Sequence, residues 1–259
     1  MADFKGLVPP KGTRIAIVGG CGGIGKALTL ACETLDLRIA ILDLAPALSK
    51  MSLPCGCISL PTDVTDEANI ADSFKTLAAE WGAIDALVFV SGIAIIPPTL
   101  IEDLTVEQWD GLMSVNLRSA WLCARAAIPL MKHGGAIVTI ASSLAYNPNR
   151  GFSAYVASKG GLVSLTKAIA AEYAPTIRAN VVAPSAVDTP FLAGGTGAHP
   201  EKMSDEWFRK TLDSYVAMIP LRRLATPEDV VGPILFLAGP GSSYMTGQVI
   251  HVNGGRITP

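Results

Sequence analysis

With 259 residues, 50% of them hydrophobic and 16% charged, the chain has enough apolar material for a large α/β core. A formal net charge of −2 gives no basic footprint for nucleic acid, and no apolar run is long enough to span a bilayer. The first 13 residues hold Lys5 and Lys11 without an apolar stretch, which predicts no secretory leader.

Arg14 to Val18 is a short apolar run that suits a strand buried on both faces of a parallel sheet. Glycines follow, and a helix is predicted from Gly23 to about Asp36. The spacing then predicts a strand from Leu37 to Leu42 that ends at Asp43, and a third from Gly56 to Leu60, followed by Pro61-Thr62-Asp63-Val64. Asp66 caps a predicted helix that runs to Trp81. Ala86 to Val90 is a fourth strand, and a helix with a kink runs from near Val106 to Met131. Ala136 to Ile140, Ile177 to Val182 and Gln248 to Val252 complete the strands; Ser153 to Tyr173 and Pro227 to Leu237 are helices. This alternation predicts a doubly wound parallel sheet of about seven strands with helices on both faces, residues 1–259 forming one domain. The irregular stretch from Phe191 to Met218 carries apolar side chains, among them Trp207 and Phe208. It opens on Gly194-Gly195-Thr196-Gly197 and holds a short predicted helix near Ser204 to Ala217. It is read as a substrate lid over 191–218.

The turn after the first strand reads Gly19-Gly20-Cys21-Gly22-Gly23-Ile24-Gly25. Glycines here let backbone approach a pyrophosphate, and the helix start supplies unpaired N–H groups and positive potential. Asp43, 18 residues after Gly25, can accept hydrogen bonds from both hydroxyls of an adenosine ribose and repels a 2′-phosphate. Its neighbours offer that phosphate no cation: Leu44 follows, and the glycine turn presents Cys21 and Gly22. The expected cofactor is therefore NAD. Asp63 is placed to meet the adenine or to serve as a turn residue.

Tyr155 and Lys159 stand four apart on a predicted helix and share a face. An ammonium one turn from a phenol favours the phenolate. Ser142, at the end of the fifth strand, can hydrogen-bond the oxygen that Tyr155 protonates. The five cysteines lack metal-ligand spacing; Cys55-Gly56-Cys57 has one intervening residue and no second pair. They read as reduced cytoplasmic thiols, with no metal expected.

Taken together, these motifs resemble the short-chain dehydrogenase/reductase family. The spacing of Gly19, Gly23 and Gly25, and of Ser142, Tyr155 and Lys159, carries the resemblance. So do Asn116 in Ser114-Val115-Asn116-Leu117, Asp63-Val64, Ala183 to Pro190, Pro220 to Arg223 with Pro227-Glu228-Asp229, and Asn253-Gly254-Gly255. It spans roughly residues 12 to 255, and implies a Rossmann-like fold and hydride transfer between NAD(H) and a small secondary alcohol or its ketone. It implies that Tyr155 moves the proton, Lys159 holds the nicotinamide ribose and lowers the Tyr155 pKa, Ser142 polarises the substrate oxygen, and Asn116 fixes a relay water. Ser91, Gly92, Pro184, Val187 and Thr189 join the glycine turn, Asp43, Leu44, Asp63 and Val64 around the cofactor. Leu144, Arg150, Ser185 and Phe191 line the substrate side with Ser142 and Tyr155. The substrate is expected to be largely uncharged, with Arg150 and Arg209 as the residues that would reverse this. A 3-oxoacyl-thioester reductase, a sugar or polyol dehydrogenase, and a catalytically silent dinucleotide-binding regulator are the alternatives. The predicted helices near Val106 to Met131 and Ser153 to Tyr173 carry apolar residues on more than one face, and the resemblance implies that they pair between subunits; a homotetramer is expected, through Ala120, Trp121, Ala124, Ala168 and Ala171. Val18, Ser185 and the stretch Phe89-Val90-Ser91-Gly92 depart from the family pattern, the last from Asn-Asn-Ala-Gly.

Overall fold

The computed structural model describes residues 6–193 and 205–258. Its centre is a seven-stranded, all-parallel sheet in the order β3-β2-β1-β4-β5-β6-β7. The strands are β1 (Arg14–Val18), β2 (Arg38–Asp43), β3 (Ile58–Pro61), β4 (Ile84–Phe89), β5 (Met131–Ile140), β6 (Ile177–Pro184) and β7 (Val249–Val252). The helices are α1 (Gly23–Thr34), α2 (Ala45–Leu48), α3 (Glu67–Trp81), α4 (Val106–Met113), α5 (Ser119–Ala127), α6 (Ser153–Tyr173), α7 (Asp205–Ala217) and α8 (Pro227–Ala238).

Alternate side chains of each strand point to opposite faces, and this divides the core in two. Ile15 and Ile17 of β1 pack with Leu28 and Cys32 of α1 and with Ile234 and Leu237 of α8. Ala16 and Val18 face the other way, into a cluster that includes Phe74 of α3, Leu122 of α5 and Ile169 of α6. Both faces are therefore dry, which explains why β1 reads as a continuous apolar run.

The register aligns the ends that matter. Val18 sits beside Leu42 on one side and Phe89 on the other, and Phe89 beside Thr139. The segments after Val18, Phe89, Ile140 and Pro184 therefore emerge along one edge, the carboxyl edge, where open α/β sheets bind ligands.

Three local features refine or differ from expectation. The helix predicted with a kink from Val106 to Met131 passes through a π-helical turn, Ser114–Arg118, between α4 and α5, and ends in a 3-10 turn at Ile128–Leu130. β5 starts at Met131 rather than Ala136, because Met131 pairs with Ile84 before a register shift. α2 was not anticipated; its four residues hold one buried side chain, Leu48. Asp66 does cap α3, accepting from the N–H groups of Ala68 and Asn69.

Ala120 and Ala124 are also corrected. They are buried in the chain's own core, facing α3 and the sheet, and cannot serve a subunit contact. Trp121, one residue round the helix, is exposed, as are Ala168 and Ala171. Of the predicted lid, the structure describes a 3-10 turn at Pro190–Ala193 and helix α7. Gly194, Gly195, Thr196 and Gly197 lie outside the described residues, as do the side chains of Trp207, Phe208 and Arg209.

Candidate active site

The glycine turn lies between β1 and α1. Gly19 has a φ of +85°, a conformation that side chains disfavour, and a Cβ there would come 2.7 Å from the Ser91 nitrogen. A Cβ on Gly25 would come 2.1 Å from the Gly19 carbonyl oxygen. The turn is therefore closed so tightly that only glycine fits at both positions. Gly22 caps α1 without a side-chain hydrogen bond, and the first turn carries no acidic residue. A helix start leaves its first N–H groups without intrahelical acceptors, so Gly23, Ile24 and Gly25 present donors and positive potential to an anion.

Asp43 ends β2 beside this turn. One carboxylate oxygen accepts from the Cys21 N–H at 2.8 Å and the other from the Leu44 N–H at 2.8 Å. Each oxygen keeps a further lone pair for a hydroxyl. Burial, and then the charge of Asp43, pushes the Cys21 thiol up to about 12, so it stays protonated at neutral pH. Asp63 commits one oxygen to Thr65, accepting from its N–H at 2.9 Å and its hydroxyl at 2.7 Å. One oxygen of Asp63 thus fills the turn role. Val64 is half-buried against the core.

The Phe89-Val90-Ser91-Gly92 departure is accommodated by backbone. The N–H groups of Val90 and Ser91 both donate to the Val18 carbonyl, at 2.8 and 3.0 Å, and tie β4 to the glycine turn without asparagine side chains. On the other side, Thr189 packs against Gly23, where an added Cβ would meet its methyl at 2.3 Å. Pro184 ends β6 and is buried; Val187 is buried and bridges to Ala225. The glycine turn and the loop after β6 therefore meet at the start of α1.

Ser142, Tyr155 and Lys159 converge beside this cleft, all buried. The Ser142 hydroxyl accepts from the Leu144 N–H at 3.1 Å and neighbours the Tyr155 phenol, whose pKa it lowers. Lys159 donates to the Ile140 carbonyl at 2.8 Å, and its nitrogen lies 5.9 Å from the centre of the Tyr155 ring. An ammonium has three donors, so two of them remain for a ligand.

The titration of the pair runs against expectation. Burial pushes Tyr155 up to about 12, opposed by the neighbouring Ser142 hydroxyl, and Lys159 is not among the groups that lower it. Burial brings Lys159 itself down to about 8. Desolvation outweighs the one-turn spacing because the ammonium is turned toward the Ile140 carbonyl.

Asn116 sits on the π-helical turn. Its carbonyl accepts from the Ile93 N–H at 2.8 Å; its amino group donates to the Ile93 carbonyl and the Ser158 hydroxyl, each at 3.0 Å. The amide is thus a brace between the end of β4 and α6. Gly92 lies beneath it: a Cβ there would be 3.2 Å from the Lys159 nitrogen and 3.3 Å from the Asn116 carbonyl oxygen. Glycine at 92 keeps open the gap those two groups flank.

Around Tyr155 the substrate side is apolar. Ala94, Ile95, Leu144, Phe152 and Phe191 pack with it, the Phe191 ring centre 6.2 Å away. Ser185 is half-buried, and its hydroxyl pairs with that of Tyr215 at 2.5 Å, a partner that the sequence did not signal. Arg150 is exposed and lines a groove with Leu100, Ile101, Glu102 and Asn149, whose lining includes neither Ser142 nor Tyr155.

Glycine donors without a cap, a carboxylate at the end of β2 beside them and a buried serine–tyrosine–lysine cluster on one sheet edge fit a dinucleotide-dependent oxidoreductase. A family model described as enoyl-(acyl carrier protein) reductase matches residues 19–256. The 3-oxoacyl-(acyl-carrier-protein) reductase of Thermotoga maritima is 32% identical, over 95% of this chain and 98% of its own. The cis-4-hydroxycyclohexanecarboxylate dehydrogenase of Sinomonas cyclohexanicum is 33% identical, over 93% of this chain and 96% of its own. The solved structure of Thermoplasma acidophilum aldohexose dehydrogenase superposes with a TM-score of 0.85 at 28% identity, covering 96% of this chain and 98% of that one. The chain belongs to the short-chain dehydrogenase/reductase family, and is an oxidoreductase that exchanges a hydride between a nicotinamide dinucleotide and an alcohol or ketone.

Proposed function

We propose that residues 1–259 form one catalytic domain, with 191–218 as its lid, that interconverts a small secondary alcohol and its ketone using NAD(H). The carrying observation is the burial of Ser142, Tyr155 and Lys159 together at the carboxyl edge of the sheet, with the Lys159 nitrogen 5.9 Å from the centre of the Tyr155 ring. The bound nicotinamide supplies the hydride chemistry. Ser142 orients and polarises the substrate oxygen. Tyr155 gives it a proton in reduction and takes that proton in oxidation. Lys159, anchored by the Ile140 carbonyl, holds the nicotinamide ribose with its remaining donors. Asn116 is a positioning residue for Ile93 and Ser158, and a relay water is proposed between its carbonyl oxygen and Lys159 in the gap left by Gly92. The relatives' names include alcohols on rings and sugars, which supports secondary alcohols as the class to screen. Formation of reduced nicotinamide across such a panel tests the reading; no turnover of any member, in either direction, would end it.

NAD is proposed over NADP because of Asp43. A 2′-phosphate would set like charge against the Asp43 carboxylate at the end of β2, with Cys21 and Leu44 beside it. A preference of about a hundredfold corresponds to roughly 3 kcal/mol. The expected outcome is that kcat/KM favours NAD by that factor and that Asp43→Ala loosens it. Comparable values with both cofactors in the wild type would remove Asp43 from this role.

No helix among the described residues is long and apolar enough to cross a membrane. A cytoplasmic location is proposed from the five cysteines, all free thiols. A homotetramer is proposed as well. An open, mostly apolar groove of about 660 Å³ lies between α5 and α6, lined by Met113, Leu117, Trp121 and Leu165. Trp121 is 44% exposed there and stacks under Arg125. Light scattering should give about four times the 27.0 kDa chain mass, and Trp121→Glu should lower it. A monomer at micromolar concentration would contradict this.

A further inference from the structure

Arg256 is the one cation of the C-terminal segment, and it is unusual in what it lacks. Its guanidinium carbon lies 4.7 Å from the centre of the Tyr215 ring, a stacking distance. Its Nη2 donates to the Asn149 side-chain oxygen at 3.2 Å. Its Nε and Nη1 are buried and have no hydrogen-bond partner. No carboxylate among the described residues is paired with it. Buried N–H groups without acceptors are destabilising, the more so on a charged group. Arg178 shows how this chain treats a guanidinium with a structural role: it donates to the carbonyls of Leu237, Gly239, Ser242 and Met245. Arg256 is left incomplete.

Its position gives the incompleteness a direction. Tyr215, on which Arg256 stacks, bonds Ser185 through its hydroxyl. Ser185 directly follows β6 at the carboxyl edge of the sheet, and Asn149 lies in the segment between Ser142 and Tyr155. Through Tyr215 and Asn149 the guanidinium therefore stands against two segments that emerge at the edge carrying Ser142 and Tyr155.

We infer that Arg256 is a specificity residue that binds a carboxylate on the substrate, at the end remote from the carbon that is oxidised or reduced. The carboxylate oxygens accept the orphaned Nε–H and Nη1–H, giving charge-assisted hydrogen bonds that a neutral group cannot match. The inference rests on the assignment of Tyr155 as the proton-transfer group. It replaces the expectation of a largely uncharged substrate, and it assigns to Arg256 the selection that the sequence had offered to Arg150. The class to test is therefore hydroxy acids with several carbons between the two groups.

The test pairs such hydroxy acids with their methyl esters. Binding to the NAD-loaded protein is measured by calorimetry, and kcat and KM are measured alongside. The acid should bind at least about tenfold more tightly than its ester, equivalent to about 1.4 kcal/mol, and the difference should lie in KM rather than kcat. In Arg256→Gln the acid-to-ester ratio should fall to near one, and Arg256→Lys should restore part of it. Equal binding of acid and ester by the wild type would overturn the inference whatever the variants do, and so would a ratio that persists in Arg256→Gln. An acid preference in binding with no turnover of either partner would uphold Arg256 and defeat the redox reading instead.

Discussion

Lys159→Met is expected to unfold at a higher temperature than the wild type and to have almost no activity. Lys159 is wholly enclosed, with the Ile140 carbonyl as its hydrogen-bond partner, and burial lowers its pKa from 10.5 to about 8. At neutral pH the folded protein must hold the charged form against that burial, a destabilisation on the order of 3 kcal/mol. Methionine fills the same volume without charge but gives up a hydrogen bond from a charged donor, worth about 2 kcal/mol. A net gain of about 1 kcal/mol remains, or roughly 2–4 °C in Tm for a chain of this size. The sign with pH follows from the direction of the shift. Between about 8 and 10.5 the unfolded chain binds more protons at Lys159 than the folded one, so wild-type stability rises through that window. The advantage of the variant should therefore shrink between pH 7 and pH 9.5. Activity should fall at least about a hundredfold, with weaker cofactor binding, because the ribose contact and the ammonium are lost together. Thermal unfolding at the two pH values decides it: a variant less stable than the wild type at pH 7 would show that the ammonium is held favourably, not against burial.

Tyr155→Phe is expected to lower kcat by about 10²–10⁴, the range that general acid–base groups supply, while the Kd for NAD changes little. The substitution deletes the phenol oxygen and keeps the ring that packs against Phe152 and Phe191. With the phenol pushed up to about 12, Tyr155 is protonated at neutral pH and ready to give a proton to a ketone. Alcohol oxidation needs the phenolate, so its rate should rise with pH above neutrality, while ketone reduction stays level there. Stopped-flow measurement of the chemical step in both directions checks this. Substantial oxidation by Tyr155→Phe, or an oxidation rate that falls from pH 7 to pH 9, would remove Tyr155 from proton transfer.

Much of this site could be read from the chain. Strands buried on both faces show as apolar runs, and the tight glycine turn has a spacing that follows from geometry: Gly19 and Gly25 touch, so neither tolerates a side chain. Asp43 was legible because it ends a strand next to that turn. The Tyr155–Lys159 spacing was legible for the same reason, but its titration was not. Spacing reports distance along a helix and says nothing of desolvation, or of the Ile140 carbonyl that draws the ammonium away. The brace made by Asn116 depends on a π-helical turn, which has no compositional signature here. Tyr215 and Arg256 meet through tertiary packing alone, across 41 positions of chain, and nothing in their local sequence marks them. Ala120 and Ala124 were misplaced because small apolar residues suit a core and a subunit contact equally well.

The central claim is that hydride leaves a secondary carbinol carbon in a step that depends on Tyr155. Its most direct test uses a turned-over alcohol deuterated at that carbon, with NAD, followed by NMR of the reduced cofactor. The account predicts one deuterium at the nicotinamide C4 position per ketone formed by the wild type, and almost none formed by Tyr155→Phe in the same time. Ketone formed without deuterium in the cofactor, or equal labelling by the wild type and the variant, would contradict it.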